Sequence, residues 1–292
     1  MAGNWWLESI TAGFGSPDWS RGSLTIQNNG TFSGSFTDID GTPENVSGAK
    51  ITMAADGSFT CDLCSALFRG TLDSGGTVAA ITDTWDDGTV ELLMALRKAP
   101  NYAQSDLTGA WKVNELLSPF PGWTRGDFTI QSNGALGGAV VTSSGENVTP
   151  SGTVTVMGDG TASCTGCGTT NFRGVLDADK TVGVATYGDP VNEQEMNILL
   201  RPAASPSQSD IAGTWHVNVI TSGQDPGWMR GEVMVGANGV LSGMLAVSDN
   251  SQQPAMGTLT VAPDGTITHS LVPDMLCVLD SGKTVMVCTN SN

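Results

Sequence analysis

A threefold internal repeat constrains this chain more than any other feature. Gly-x-Trp occurs at Gly3-Asn4-Trp5, Gly109-Ala110-Trp111 and Gly213-Thr214-Trp215, so 106 residues separate the first two tryptophans and 104 the next two. Trp-x-Arg-Gly follows in each copy, from Trp19 to Gly22, Trp123 to Gly126 and Trp228 to Gly231. Two hairpin signals then recur: Asn29-Gly30, Asn133-Gly134 and Asn238-Gly239, and Asp56-Gly57, Asp159-Gly160 and Asp264-Gly265. Asn-Gly and Asp-Gly supply the positive φ of tight hairpins. A period of this length predicts three units, 1–100, 107–202 and 211–292, each large enough for a modest core.

Between the turns apolar residues alternate, as in Leu24 and Ile26 or Phe128 and Ile130, which turns one face of each strand inward. A third turn recurs at Leu72-Asp73, Leu176-Asp177 and Leu279-Asp280, each leading into Thr-Val. The pattern predicts eight strands in the first copy, at about 4–11, 21–28, 31–37, 48–55, 58–63, 66–73, 77–84 and 89–98, and no long helix. An up-and-down meander of eight strands exposes two edges unless it closes, so a small barrel is expected, with a β-propeller of two blades per copy as the alternative. The third copy stops one strand short. The proline-bearing connectors 100–106 and 202–210 predict units strung closely on a semi-rigid string.

Gly-x-Trp opening the first strand, a meander of eight, and an Arg ending the last strand together resemble the calycin superfamily, the lipocalins and avidins. That resemblance implies a barrel closed at one end, with the first-strand Trp under its floor and the terminal Arg packed across it. The matching residues are Trp5 with Arg97 and Trp111 with Arg201; the third copy offers Trp215 and no Arg. The loop carrying Pro17, Pro119, Pro121 and Pro226 has no counterpart in that pattern.

Twelve Lys and Arg against 29 Asp and Glu give a formal charge of −17, which repels nucleic acid and anionic lipid. No apolar run is long enough for a spanning helix, and Met1 to Trp6 lacks the features of a signal peptide. Cys61 and Cys64, like Cys164 and Cys167, form aligned Cys-x-x-Cys pairs. Both positions are lost together in the third copy, at His269 and Val272. Cys277 and Cys288 fall opposite each other if Gly282-Lys283 makes the turn. Three disulfides and a secreted or cell-surface location are expected. A zinc site needs four ligands, haem attachment needs a His after the second Cys, and a thioredoxin-like dithiol needs a helix; none of these contexts is visible.

All seven arginines occupy repeated positions. Arg lies flat on indoles and forks hydrogen bonds into loop carbonyls, which predicts scaffolding. The alternative is a ligand clamp at the barrel mouth, made of Trp19 with Arg21, Trp123 with Arg125, and Trp228 with Arg230. Asp38-Ile39-Asp40 and Asp86-Asp87 have Ca²⁺ ligand types but do not recur, and the three Asn-x-Ser/Thr sequons carry little weight. Only His216 and His269 are present, and no catalytic motif appears. These observations predict a non-enzymatic protein without metal or cofactor, acting in binding, adhesion or assembly on a protein or glycan surface. Head-to-tail self-association by strand addition at the third copy is an alternative, beside the blander reading that the sequence is part of a longer chain. A lipocalin-like carrier of a small apolar ligand is the rival. The inward Phe32, Phe36, Phe59 and Phe68 favour a filled bore, whereas a cavity of a few hundred Å³ would favour the carrier.

Overall fold

The computed structural model describes residues 1–13, 18–169, 171–188 and 193–291. The first copy contains β1 (Gly3–Ala12), β2 (Trp19–Ile26), β3 (Thr31–Asp38), β4 (Pro43–Met53), β5 (Ser58–Cys61), β6 (Arg69–Leu72), β7 (Val78–Thr84) and β8 (Val90–Arg97). These eight strands close into an antiparallel barrel, with β8 returning to β1 in a register that sets Arg97 opposite Trp5 and Val90 opposite Ala12. The structure is all-β, and the propeller alternative is set aside. Pro17 falls outside the described residues.

After the short helix α1 (Gln104–Leu107), the second copy forms β9 (Gly109–Ser118), β10 (Trp123–Ile130), β11 (Leu136–Thr142), β12 (Asn147–Val148), β13 (Thr153–Val156), β14 (Thr161–Thr165), β15 (Arg173–Leu176), β16 (Val182–Gly188) and β17 (Gln194–Leu200). β12 and β13 occupy the place of β4, interrupted where Pro150 offers no amide donor and Gly152 takes a φ of +109°. The two ends of the nine-stranded sheet meet through a bridge between Ala135 and Thr153, with Leu136 N–H donating to Gly152 and Val154 N–H to Gly134, both at 2.9 Å.

The third copy contributes β18 (Gly213–Thr221), β19 (Gly227–Val235), β20 (Leu241–Val247), β21 (Gln252–Pro254), β22 (Leu259–Val261), β23 (Ile267–His269), β24 (Leu276–Leu279) and β25 (Met286–Thr289). They form two four-stranded sheets joined at a bridge between Val240 and Thr258. Among the described residues no strand pairs with the outer edges of β18 and β25.

The repeated turns explain why the copies fold alike. Asp73 Oδ1 accepts the Thr77 and Val78 amides, Asp177 Oδ1 those of Thr181 and Val182, and Asp280 Oδ1 those of Thr284 and Val285, all at 2.7–2.9 Å. At the floor the Trp5, Trp111 and Trp215 indoles donate to the carbonyls of Met1, Leu107 and Ile211 at 2.7–2.8 Å. Each copy therefore plugs one end of its own sheet with the same local bond.

The units are not strung as beads. Apolar residues on the outer faces of all three copies form one cluster, including Trp6, Ile10, Leu92, Met94 and Leu96 from the first, Val182, Val184, Met196 and Leu200 from the second, and Ile220, Val285 and Val287 from the third. The linkers are short, and burying these faces against one another removes apolar surface that an open string would leave in water. Packing is cyclic: the first strand of each copy meets the seventh strand of the next, β1 against β16, β9 against β25 and β18 against β7.

Candidate functional site

The Trp-x-Arg-Gly residues sit in these seams. Arg21 lies over Trp19 at 3.6 Å, Arg125 over Trp123 at 3.8 Å and Arg230 over Trp228 at 3.8 Å. Each guanidinium reaches the next copy. Arg21 Nε donates to Thr186 Oγ1 at 2.7 Å and its Nη2 to the Thr186 carbonyl; Arg125 Nη1 donates to the carbonyls of Asp274 and Thr289; Arg230 Nη1 donates to those of Leu67 and Thr82. Thr82, Thr186 and Thr289 are the same position of the repeat. The indole N–H of Trp228 donates to Thr84 Oγ1 and that of Trp123 to Ser291 Oγ. The equivalent position in the first seam is Gly188, which has no hydroxyl, and Trp19 Nε1 is buried without a partner among the described residues. Glu8, fully buried in that seam, lies 3.3 Å from Arg173 and 3.6 Å from Arg21 and accepts from Thr186. Burial nevertheless pushes its carboxyl up to about 7, against the pull of the two arginines.

The floor pairs differ between copies. Arg201 stacks over Trp111 at 4.2 Å and donates to the Lys180, Thr108 and Asp106 carbonyls. Arg97 lies against Gly3 instead, with a weak bond to the Ala2 carbonyl. The six cysteines stand in pairs, Cys61 with Cys64, Cys164 with Cys167 and Cys277 with Cys288, the last directly opposite each other on β24 and β25. Where the third copy lacks the Cys-x-x-Cys loop, His269 ties the same turn: its Nδ1 accepts the Leu271 and Val272 amides and its Nε2 donates to Met256. Asp38 and Asp87 cap the turn amides of Thr42 and Thr89. Among the described residues one group has metal-ligand types within 4.8 Å of one another, Asp56, His216 and Glu232, and His216 Nε2 there donates to the Asp56 carbonyl.

The two barrel interiors diverge. In the first, Trp5, Leu7, Leu24, Ile26, Phe32, Phe59 and Ile81 fill the bore, with Phe36 and Phe68 packed on them. Register places Val113, Leu136, Val140, Ala162 and Ala185 of the second copy where Leu7, Phe32, Phe36, Phe59 and Ile81 stand in the first. Each replacement is smaller, and together they leave a cavity of about 260 Å³. The filled bore expected from the phenylalanines therefore holds for the first copy and fails for the second, because three of those phenylalanines are absent there. None of the six Trp-x-Arg residues lines this cavity.

Trp111 and Leu107 close one end of the cavity, and the Cys167 loop lies at its wall. Further along β9 the apolar lining gives way to Glu115, Tyr187 and Asn197, inward residues of three adjacent strands. Asn197 Nδ2 donates to Glu115 Oε1 at 2.9 Å and to the Tyr187 hydroxyl at 2.8 Å, while that hydroxyl donates to the same Glu115 oxygen. Phe172 stacks on the Tyr187 ring at 5.9 Å. Burial, together with hydrogen bonding to Glu115, pushes the Glu195 carboxyl far above the carboxylate range, and burial raises Glu193 as well. The first copy places Glu91 where the second has Glu195, and burial lifts it to about 7. Sequence reasoning passed over this pair, although both glutamates stand six residues before the terminal arginine of their copy.

No family model and no curated protein matches the chain. Among solved structures it is similar to kievitone hydratase from Nectria haematococca, at 8% identity and a TM-score of 0.26, over 68% of this chain and 89% of that one. A second similar structure is the AttH protein of Nitrosomonas europaea, at 8% identity and 0.23, over 67% of this chain and 91% of that one. The expectation of a non-enzymatic protein is corrected: a structure that this chain is similar to is an enzyme, and the absence of a linear catalytic motif does not decide the matter. At these scores the likeness assigns no activity to the chain.

Proposed function

We propose that the chain is a secreted or cell-surface binding protein whose second barrel holds a small, largely apolar molecule, in the manner of a calycin-type carrier. The cavity carries this reading. It is lined mainly by Val, Ile, Leu, Phe and Ala, with a few convergent polar groups at one end, the usual make-up of a small-ligand site. Ligand sites commonly run from about 300 Å³ upward, so the occupant is at the small end of that range. Three paired cysteine bridges support the oxidising compartment. Titration with the neutral fluorophore N-phenyl-1-naphthylamine tests the site. A saturable rise in emission that is lost in Ala162→Phe, which fills the bore, supports the reading; no saturable rise, or one untouched by the substitution, refutes it.

The edges of β18 and β25, unpaired among the described residues, favour a second reading, uptake of an added β-strand between them. A chain that stays strictly monomeric in light scattering and takes up no peptide with the sequence of Val90–Arg97 ends it.

A further inference from the structure

The polar end of the barrel-two cavity has an imbalance that specifies its ligand. Glu115 from β9, Tyr187 from β16 and Asn197 from β17 line that end, Glu195 of β17 adjoins it through a hydrogen bond to Glu115, and Glu193 interacts with Glu115 from just before it; among the described lining residues there is no Lys, Arg or His. A buried carboxylate without a cation is strongly disfavoured. The neutral donors of Tyr187 and Asn197 both reach one oxygen of Glu115, Oε1, and the Tyr187 hydroxyl is hydrogen-bonded to Glu195 as well. Glu195 in turn is hydrogen-bonded to Glu115. Two carboxyl groups can share a hydrogen bond only if one of them keeps its proton. That shared proton is what lets the two carboxyl groups sit side by side where no Lys, Arg or His lines the cavity among the described residues.

A ligand cation can take its place. The rest of the lining, Val113, Leu136, Val140 and Ala185 among it, accommodates a hydrocarbon body. We propose that the second barrel binds an apolar molecule ending in one protonated amine, which seats between Glu115 and Glu195 and displaces the proton they share. In the exchange an R–NH₃⁺ enters, Glu195 gives its proton to bulk water, and the two carboxylates hold the ammonium through charge-assisted hydrogen bonds. Binding releases one proton and strengthens as pH rises toward the point where the amine itself deprotonates. Tyr187 stays neutral throughout, since burial and the neighbouring glutamates hold its hydroxyl well above its usual range. Glu193, half-buried beside Glu115, adds negative potential at the same end.

This inference rests on the ligand-binding reading of the second barrel, and the test separates the two. The full chain is titrated calorimetrically with octylamine and with 1-octanol, each in two buffers of different ionisation enthalpy, alongside the naphthylamine probe. At neutral pH octylamine is expected to bind at least tenfold more tightly than 1-octanol and to release close to one proton. Glu195→Gln, which is isosteric, abolishes the proton release. Glu115→Gln reduces the preference for the amine to about twofold or less while 1-octanol and the probe still bind, which shows that the barrel remains folded. Equal or tighter binding of 1-octanol, or amine binding without proton release, overturns the amine assignment and leaves the carrier reading standing. If the probe binds and octylamine does not, the amine assignment falls alone. Failure of the probe and both octyl compounds removes both readings.

Discussion

Glu91 is the most direct test of how burial controls this fold. Its carboxyl is buried on β8 at one end of the first barrel, and the Trp85 indole donates to its Oε2 at 3.3 Å, with Ser9 also bonded to it. Burial lifts the carboxyl from 4.5 to about 7, Asp83 and Asp18 add repulsion, and no cation among the described residues offsets them. A group whose pKa is higher folded than unfolded stabilises the fold fully below the unfolded value and loses that contribution as pH rises through the folded one. The loss here begins near pH 4.5 and is complete somewhat above pH 7. Raising the pH at which a carboxyl is half-ionised by one unit corresponds to about 1.4 kcal/mol, so ionising Glu91 in the folded protein costs on the order of 3 kcal/mol. Glu91→Gln keeps an acceptor for Trp85 and cannot ionise. Urea denaturation of both proteins, followed by tryptophan emission, should give nearly equal midpoints near pH 5 and a variant more stable by up to about 3 kcal/mol near pH 8.5. Glu8 and Asp177, also lifted by burial, titrate in both proteins and cancel in the difference. A difference that does not change with pH, or one that favours the wild type as pH rises, refutes the reasoning.

Phe59→Ala should give the first barrel the wall that Ala162 gives the second, at about 3–5 kcal/mol of stability for so buried a ring, read from the shift in urea midpoint, and a second naphthylamine site should appear if the cavity stays open. Arg230→Met should leave the Leu67 and Thr82 carbonyls without their donor and loosen the third copy from the first. The expected loss is about 1–2 kcal/mol because this arginine is only half-buried, with faster proteolytic cutting in the 203–210 linker; unchanged midpoint and cutting would count against the seam.

The turns were legible because their chemistry is local. Asp73, Asp177 and Asp280 each cap amides four and five residues on, and such a bond needs nothing beyond its own hairpin. The opposition of Cys277 and Cys288 follows in the same way, since counting back from one tight turn fixes the register. The seams could have been suspected. Val90–Leu96 is apolar at almost every position, the signature of a strand buried on both faces, and the outer face of that strand is what meets the other copies.

What the sequence by itself determined is therefore the repeat, the meander and the cysteine pairing, all set by contacts between neighbours along the chain. What only the tertiary structure decided is the ring of seams and the cavity. Arg21, Arg125 and Arg230 look alike in sequence whether they clamp a ligand or bridge two copies, because their partners lie about 150 residues or more away, or across the ring. The second barrel has a cavity because smaller inward side chains on several strands, Ala162 for Phe59 and Ala185 for Ile81 among them, fail together to fill a fixed circumference, and that shortfall exists only once the strands have closed.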